Sequence, residues 1–145
     1  MITPDVNVLV YAARDDAPRH AAFRDWLESS LAAPEAVGVS ELVLSGVIRV
    51  LTNRRVFDPP MTLGEALGYA DALRQHPRVV ALRPGARHWD LFADLCRRGA
   101  VRGNLVADAY HAALAIESGA ELITTDRDFA RFPFPGLRWR HPLGE

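Results

Sequence analysis

The sequence predicts an α/β domain in which a short, mainly parallel sheet of four or five strands is flanked by helices on both faces. Short apolar runs rich in β-branched residues alternate with amphipathic segments of helical period, and this alternation is typical of parallel sheets covered by helices. The 145 residues match the size of one domain, so residues 1–145 are expected to fold as a single unit. Hydrophobic residues make up 49% of the chain and charged residues 24%, which is enough to build a core.

Each element follows from local signals in chain order. A strand is expected to end near Pro4, and a helix is expected to begin after Asp5. Ser40 and Thr62 are further N-cap candidates, because their hydroxyls can accept hydrogen bonds from a first helical turn. The later helices are predicted at His20–Leu31, Glu41–Leu51, between Thr62 and His76, Ala86–Arg98 and Asn104–Ser118. The later strands are predicted at Ala36–Val39, Val79–Leu82, Leu122–Thr125 and Leu137–Trp139, with a turn-rich connection at Phe129–Pro135.

Two of these helices carry apolar faces of helical period. The two faces consist of Leu63, Leu67, Ala70 and Leu73 in one helix, and of Trp89, Phe92, Leu95 and Cys96 in the other. Such spacing favours packing in a core or an interface over stacking on nucleic-acid bases.

Composition excludes several classes of function. All 17 basic residues are Arg, which excludes P-loop NTPases, protein kinases and enzymes with a Schiff-base lysine. A single cysteine, Cys96, excludes an internal disulfide and a cysteine zinc site, and fits a reducing cytoplasm. The net charge of −1 is not that of a protein that coats nucleic acid, although a local Arg patch remains open. We expect no targeting or membrane-spanning segment, because no apolar run is long enough.

Acidic residues follow three of the predicted strands. Asp5, Glu41 and Asp126 stand at strand ends, and Asp128 follows two residues later. Ligands of open α/β sheets bind at the carboxyl ends of the strands, so these acids are candidates for one common site. The alternative is structural, since Asp5 and Asp126 can cap helices and Glu41 can stabilise a helix dipole.

Asp108 favours the functional interpretation. It lies at the border of an apolar, alanine-rich helix face, where a carboxylate is costly unless it is paired. Asp90 and Asp94, by contrast, lie opposite the apolar face of their helix and are expected to be solvated. Several carboxylates without lysine or a cysteine cluster indicate one or two Mg²⁺ or Mn²⁺ ions, which suit phosphodiester hydrolysis.

The acidic segments also resemble a known family. The similarity to PIN-domain ribonucleases is carried by Asp5-Val6-Asn7-Val8-Leu9, Ser40-Glu41, Gly103-Asn104, Asp108-Ala109 and Thr125-Asp126-Arg127-Asp128-Phe129, in this order. A PIN domain of this size most resembles the VapC toxins of bacterial toxin–antitoxin pairs. Val6 departs from the pattern, since many relatives carry Thr or Ser there.

The resemblance implies a PIN-like fold and a Mg²⁺- or Mn²⁺-dependent endoribonuclease that cleaves RNA with metal-activated water. The implied catalytic residues are Asp5, Glu41, Asp108 and Asp126, with Asp5, Asp108 and Asp126 as metal ligands and Asn7, Thr125, Asn104 and Asp128 as supporting polar groups. Either Glu41 or Asp126 would orient the water. The implied partners are an RNA substrate, a small antitoxin protein and a second copy of the chain, in the cytoplasm and away from membranes.

The roles of the basic residues, and the function of the chain as a whole, each have alternatives. Arg97, Arg98 and Arg102 can bind RNA phosphates or simply stabilise a helix C-terminus, and Arg49 carries the same ambiguity. His111 is expected to be an ordinary, partly exposed histidine. Two other functions compete with the toxin, namely a PIN nuclease that processes RNA without an antitoxin and a catalytically silent PIN module that binds RNA or protein.

Overall fold

A computed structural model describes residues 1–132 and 136–145. The strands are β1 (Ile2–Pro4), β2 (Val37–Ser40), β3 (Val79–Leu82), β4 (Glu121–Ile123) and β5 (Trp139–Arg140). The helices are α1 (Val6–Ala13), α2 (His20–Ala32), α3 (Glu41–Leu51), α4 (Leu63–Gln75), α5 (His88–Gly99) and α6 (Leu105–Ser118). A 3₁₀ helix at Arg127–Arg131 overlaps the beginning of the predicted connection Phe129–Pro135, of which residues 133–135 lie outside the described ranges.

The five strands form one parallel sheet in the order β3-β2-β1-β4-β5. The predicted architecture is therefore confirmed: β3 has its predicted bounds, and the ends of β2, β4 and β5 lie within two residues of their predicted positions. Because β1 is central and all its neighbours are parallel, the carboxyl ends of β1, β2 and β4 meet at the same edge of the sheet. The residues that follow these three strands therefore lie along the same edge of the sheet.

Helices cover both faces of the sheet, as predicted. Leu122 and Ile123 are successive residues of β4 that point to opposite faces, and they belong to two different apolar clusters. The cluster around Ile123 is built from α1, α2, α3 and α4, and the cluster around Leu122 is built from α5 and α6. Within the described ranges, every helix is too short or too polar to span a bilayer.

The predicted apolar faces are only partly buried. In α4, Ala70 and Leu73 are buried, but Leu63 and Leu67 near its beginning are exposed. In α5, Leu95 is buried while the ring of Trp89 is 69% exposed. Helical period places these side chains on one face of each helix, but each helix packs against its neighbours along only part of that face.

The close contact between α1 and α3 requires a glycine. A Cβ atom at Gly46 of α3 would lie 2.8 Å from a γ-methyl of Val6, at the start of α1. The methyl groups of Val6 occupy the space above Gly46. The two residues therefore set the distance between α1 and α3.

The substitution Gly46→Ala is expected to destabilise the protein even though Ala favours a helix by about 1 kcal/mol over Gly. Overpacking against Val6 costs about 1–3 kcal/mol, so the clash outweighs the gain in helix propensity. Removing the clashing methyls with Val6→Ala should restore part of the loss. Urea unfolding of the wild type, both single variants and the double variant measures the coupling, and strictly additive effects would contradict this packing.

Candidate active site

Asp5 is fixed by three hydrogen bonds where β1 ends. Its backbone N–H donates to the carbonyl of Ile123 at 2.8 Å, which ties it to β4. Its carboxylate oxygen Oδ1 accepts from the N–H of Val6 at 2.7 Å, so the expected N-cap is present. The second oxygen, Oδ2, accepts from the hydroxyl of Thr124 at 2.8 Å. The structural and functional interpretations of Asp5 are therefore compatible, because capping engages only one oxygen.

The hydroxyl of Thr124 connects Asp5 to Asp126. While it donates to Asp5, the same oxygen accepts the backbone N–H of Asp126 at 3.0 Å. Asp126 Oδ1 in turn accepts the N–H of Asp128 at 2.8 Å, which caps the short 3₁₀ helix. This hydrogen-bonded chain holds the two carboxylates beside each other at the edge of the sheet.

The neighbouring threonine, Thr125, was the residue predicted to support the acidic site. In the structure Thr124 is fully buried and makes these bonds, while Thr125 is partly exposed and lies outside the cavity described below. Strand alternation was the signal that was missed. Successive residues after a strand turn their side chains to opposite sides, so Thr124 is buried toward Asp5 while Thr125 is partly exposed.

Asp108 comes to this edge from α6. The helix packs closely on the sheet because its inner face is built of alanines, among them the fully buried Ala109, Ala112 and Ala115. Burial raises the pKa of the half-buried Asp108 carboxyl to about 6, and repulsion from Asp5, Asp126 and Asp128 adds to the rise. Asp108 therefore lies within electrostatic reach of three other carboxylates. Opposite charge is therefore favoured at this place.

A cavity of about 720 Å³ lies between α1, α3 and α6 at this edge. Asp5, Asp108 and Asp126 line it, together with the predicted supporting residues Asn7 and Asn104. Asp128 is exposed just outside the lining and contributes through its charge. The structure thus brings together three of the four predicted catalytic carboxylates.

Two cavity side chains carry buried polar atoms that have no hydrogen-bond partner among the described residues. They are Asn7, through its oxygen Oδ1, and His111, through both ring nitrogens. The expectation that His111 is partly exposed was wrong, because its side chain lies one turn after Asp108 and is 3% exposed. The other interpretation of the sequence, a histidine that supports the site, agrees with its place in the cavity lining. Burial lowers the pKa of the imidazole, while the nearby Asp5 acts in the opposite direction.

Glu41 is not brought into this cavity. It is exposed at the first residue of α3 and lines a separate cavity of about 240 Å³ beside β3, with Asp71 and Arg74. The next residues of the same helix, including Leu42 and Ser45, face the carboxylates instead. The catalytic role of Glu41 stays a prediction for which the structure supplies no contact with the other acids.

The three predicted RNA-binding arginines also lie outside the cavity lining. Arg97 and Arg98 are exposed in the last turn of α5, and Arg98 forms an ion pair with Asp94 at 2.9 Å. Arg102 is exposed in the connection that leads to the cavity residues Gly103 and Asn104. Their position near the cavity leaves both interpretations open.

The donor set suits a hard divalent cation. Among residues 1–132 and 136–145, no three acidic, histidine or cysteine side chains converge tightly enough to enclose an ion by themselves. Mg²⁺ usually keeps several waters and takes only one or two carboxylates from a protein, so an open carboxylate site fits its chemistry. A cation would also relieve the repulsion that acts on Asp108.

The fold and the cavity define a parallel α/β domain with an acidic site at the carboxyl edge of its sheet. The PIN domain model matches residues 2–135, and the chain therefore belongs to the PIN domain family. It is 48% identical over 143 residues to ribonuclease VapC43 of Mycobacterium tuberculosis, covering 99% of this chain and 96% of that protein. It is 38% identical over 132 residues to ribonuclease VapC25 of the same species, covering 91% and 93%.

Solved structures show the same fold at lower identity. VapC20 of Mycobacterium tuberculosis, a sarcin-ricin loop cleaving toxin, has a TM-score of 0.70 at 21% identity and covers 95% of this chain and 99% of that one. VapBC2 of Rickettsia felis, bound to a promoter DNA fragment, has a TM-score of 0.66 at 20% identity and covers 97% and 98%.

Replacement of Thr124 by Val is expected to cost about 1–3 kcal/mol of unfolding free energy. The substitution leaves the part-buried N–H of Asp126 without its acceptor and one oxygen of Asp5 without its buried donor. Thr125→Val, at the partly exposed neighbour, should stay within about 0.5 kcal/mol. Urea unfolding in EDTA compares the two, and equal losses in both variants would contradict the role of the Thr124 hydroxyl.

Asp108→Asn is expected to stabilise the metal-free protein at neutral and alkaline pH. The folded-state pKa of about 6 lies above the ordinary aspartate pKa of 3.8, so the folded state binds more protons between these values. Wild-type stability therefore falls as pH rises through this window. The variant lacks this loss and should gain about 1–2 kcal/mol above pH 6, after allowance for solvent screening.

The same comparison at about pH 4 provides the control, since the wild-type carboxyl is then largely protonated in the folded state. Urea unfolding in EDTA at both pH values measures the difference. A gain of equal size at both would show that the Asn side chain acts through something other than charge.

Proposed function

We propose that the chain is a divalent-cation-dependent endoribonuclease and the toxin of a toxin–antitoxin pair. The observation that carries the proposal is the convergence of Asp5, Asp108 and Asp126 in one cavity at the carboxyl edge of the sheet. It occurs in a chain that is 48% identical, over nearly its whole length, to a protein named as a VapC ribonuclease.

Asp5, Asp108 and Asp126 would hold one or two Mg²⁺ or Mn²⁺ ions. A bound ion supplies two effects, a lower pKa for water and stabilisation of the negative charge that develops on the phosphate. Above pH 6 the Asp108 carboxyl is ionised although partly buried, and it is then in repulsive surroundings that favour a cation. The buried oxygen of Asn7, which has no protein donor among the described residues, is a further group that a bound ligand would satisfy.

The chain itself positions the ligands. Thr124 holds Asp5 and Asp126 in fixed orientations, and the caps at Val6 and Asp128 each engage one oxygen of these carboxylates. Asp126 lines the cavity while Glu41 does not, which favours Asp126 as the group that orients water and accepts its proton. Hydrolysis in this arrangement would leave a 5′-phosphate and a 3′-hydroxyl.

The partners follow from the same proposal. The substrate would be RNA, and the inhibitor would be a small antitoxin protein. The solved structures with this fold include VapBC2 of Rickettsia felis, bound to a promoter DNA fragment. Likeness to a VapBC assembly supports an antitoxin partner for the present chain. We further infer a homodimer that acts in the cytoplasm, where its RNA substrate is present.

Asp5→Asn and Asp108→Asn are each expected to lower RNA cleavage by at least about a hundredfold, because each removes a charged ligand from the site. Asn keeps the size of the side chain, and at position 5 it remains a good N-cap. Asp90→Asn is the matched control, since Asp90 is exposed in the first turn of α5 and lies outside the cavity.

Cleavage of total RNA by the purified proteins with Mg²⁺, with Mn²⁺ and with EDTA measures these effects. Full activity of both site variants would contradict the assignment, and activity in EDTA would contradict the cation requirement. Glu41→Gln in the same assay tests the remaining predicted acid. From its place in the second cavity, we expect this variant to keep most of the wild-type activity.

A further inference from the structure

The cavity has two ends of different chemistry. One end carries the carboxylates, and the other is lined by aliphatic and aromatic side chains, including Val50, Tyr11 and Phe57. Its volume of about 720 Å³ lies within the ~300–1,000 Å³ typical of small-molecule sites and exceeds what one hydrated ion needs. The apolar end is therefore available to a part of the substrate that lies next to the bond being cleaved.

Arg49 is the one cationic side chain among the lining residues of this cavity that the structure describes. It is exposed in the last turn of α3, and none of the ion pairs found among the described residues involves it. The carboxylates repel a polyanion, so a cation across the cavity gives an anionic ligand a place to bind. The planar guanidinium suits a phosphate because it can donate two parallel hydrogen bonds.

The two aromatic rings of the cavity are held in place from behind. The guanidinium of Arg14 lies 4.5 Å from the centroid of the Phe57 ring, and Arg14 is itself bonded to Asp16 and to the carbonyl of Pro59. The ring of Tyr11 packs on Phe23 at a centroid distance of 5.0 Å. Fixed aromatic surfaces beside a phosphate-binding cation are the combination that single-stranded nucleic acid recognises.

We propose that Arg49, Tyr11 and Phe57 form a nucleotide subsite next to the carboxylates. Arg49 binds a backbone phosphate adjacent to the one that is cleaved, and the aromatic end of the cavity receives the base attached to it. This inference rests on the proposed ribonuclease function and deepens it, since it names the part of the chain that holds the substrate. The competing occupant of the apolar end is a hydrophobic segment of a protein partner.

The test measures binding separately from cleavage. The full chain carrying Asp5→Asn is titrated into fluorescein-labelled single-stranded RNA of about 12 nucleotides and random sequence, followed by anisotropy at several salt concentrations. Arg49→Gln removes the cation and Phe57→Leu removes the ring but keeps an apolar side chain. Arg78→Gln is the matched control, since Arg78 is exposed where β3 begins, at the opposite edge of the sheet.

Arg49→Gln should weaken binding about tenfold and reduce the slope of log K against log salt by about 0.7, the value for one phosphate contact on a single strand. Arg49→Lys, which keeps the charge, should restore the slope. Phe57→Leu should weaken binding of intact RNA about tenfold but leave binding of an abasic RNA unchanged, because the ring acts on the base. Arg78→Gln should bind as the parent does.

Two results would overturn the subsite. One is normal RNA binding by both Arg49→Gln and Phe57→Leu, which would leave a protein segment as the occupant. The other is an equal loss in Phe57→Leu for intact and abasic RNA, which would indicate a general disturbance. Cleavage is also measured with the chain that keeps Asp5, so that the subsite and the ribonuclease function are tested separately. Metal-dependent cleavage together with normal RNA binding by both variants would refute the subsite but not the ribonuclease function. Absence of both cleavage and binding refutes the function as well.

Discussion

The hydroxyl of Thr124 is the contact on which the site depends. It donates to Asp5 and accepts from Asp126, and so it joins the ends of β1 and β4 through side chains as well as through the sheet. Both partners are acidic residues, and the hydroxyl binds the carboxylate of Asp5 and the backbone N–H of Asp126, so it fixes these two segments against the repulsion between their side chains. A fully buried hydroxyl with both hydrogen-bonding functions satisfied can hold such a pair rigidly.

Close packing of α6 completes the arrangement at a cost in stability. Its inner face consists largely of buried alanines, which allow the helix to approach the sheet and carry Asp108 toward the other acids. Burial and like charge then raise the pKa of Asp108 to about 6. The fold thus stores repulsion at the place where the proposed cation binds, and the buried polar atoms of Asn7 and His111 add to this strain. Function and stability are opposed there, as they commonly are at active sites.

The wall of the cavity that α3 forms depends on a contact at a glycine. Gly46 lets α3 approach α1 over Val6, and the next turn of α3 presents Arg49 to the cavity. The position of Glu41 follows from the same helix, because its first residue turns toward β3 while its later residues turn toward α6. One helix therefore places an acid and a base in two separate cavities.

The sequence by itself determined the fold class, the order of elements and the acids at the strand ends. These depend on local signals, namely hydrophobic period, helix caps and the rule that parallel strands end at one edge. The strand ends identified Asp5 and Asp126, and the alanine-rich helix face identified Asp108. Tertiary structure decided which neighbours face inward. Thr124 rather than Thr125 supports the site, His111 is buried, Trp89 is exposed and Glu41 lies apart. Each of these depends on which side chains the neighbouring helices and strands cover. That coverage is set by packing between residues remote in the chain.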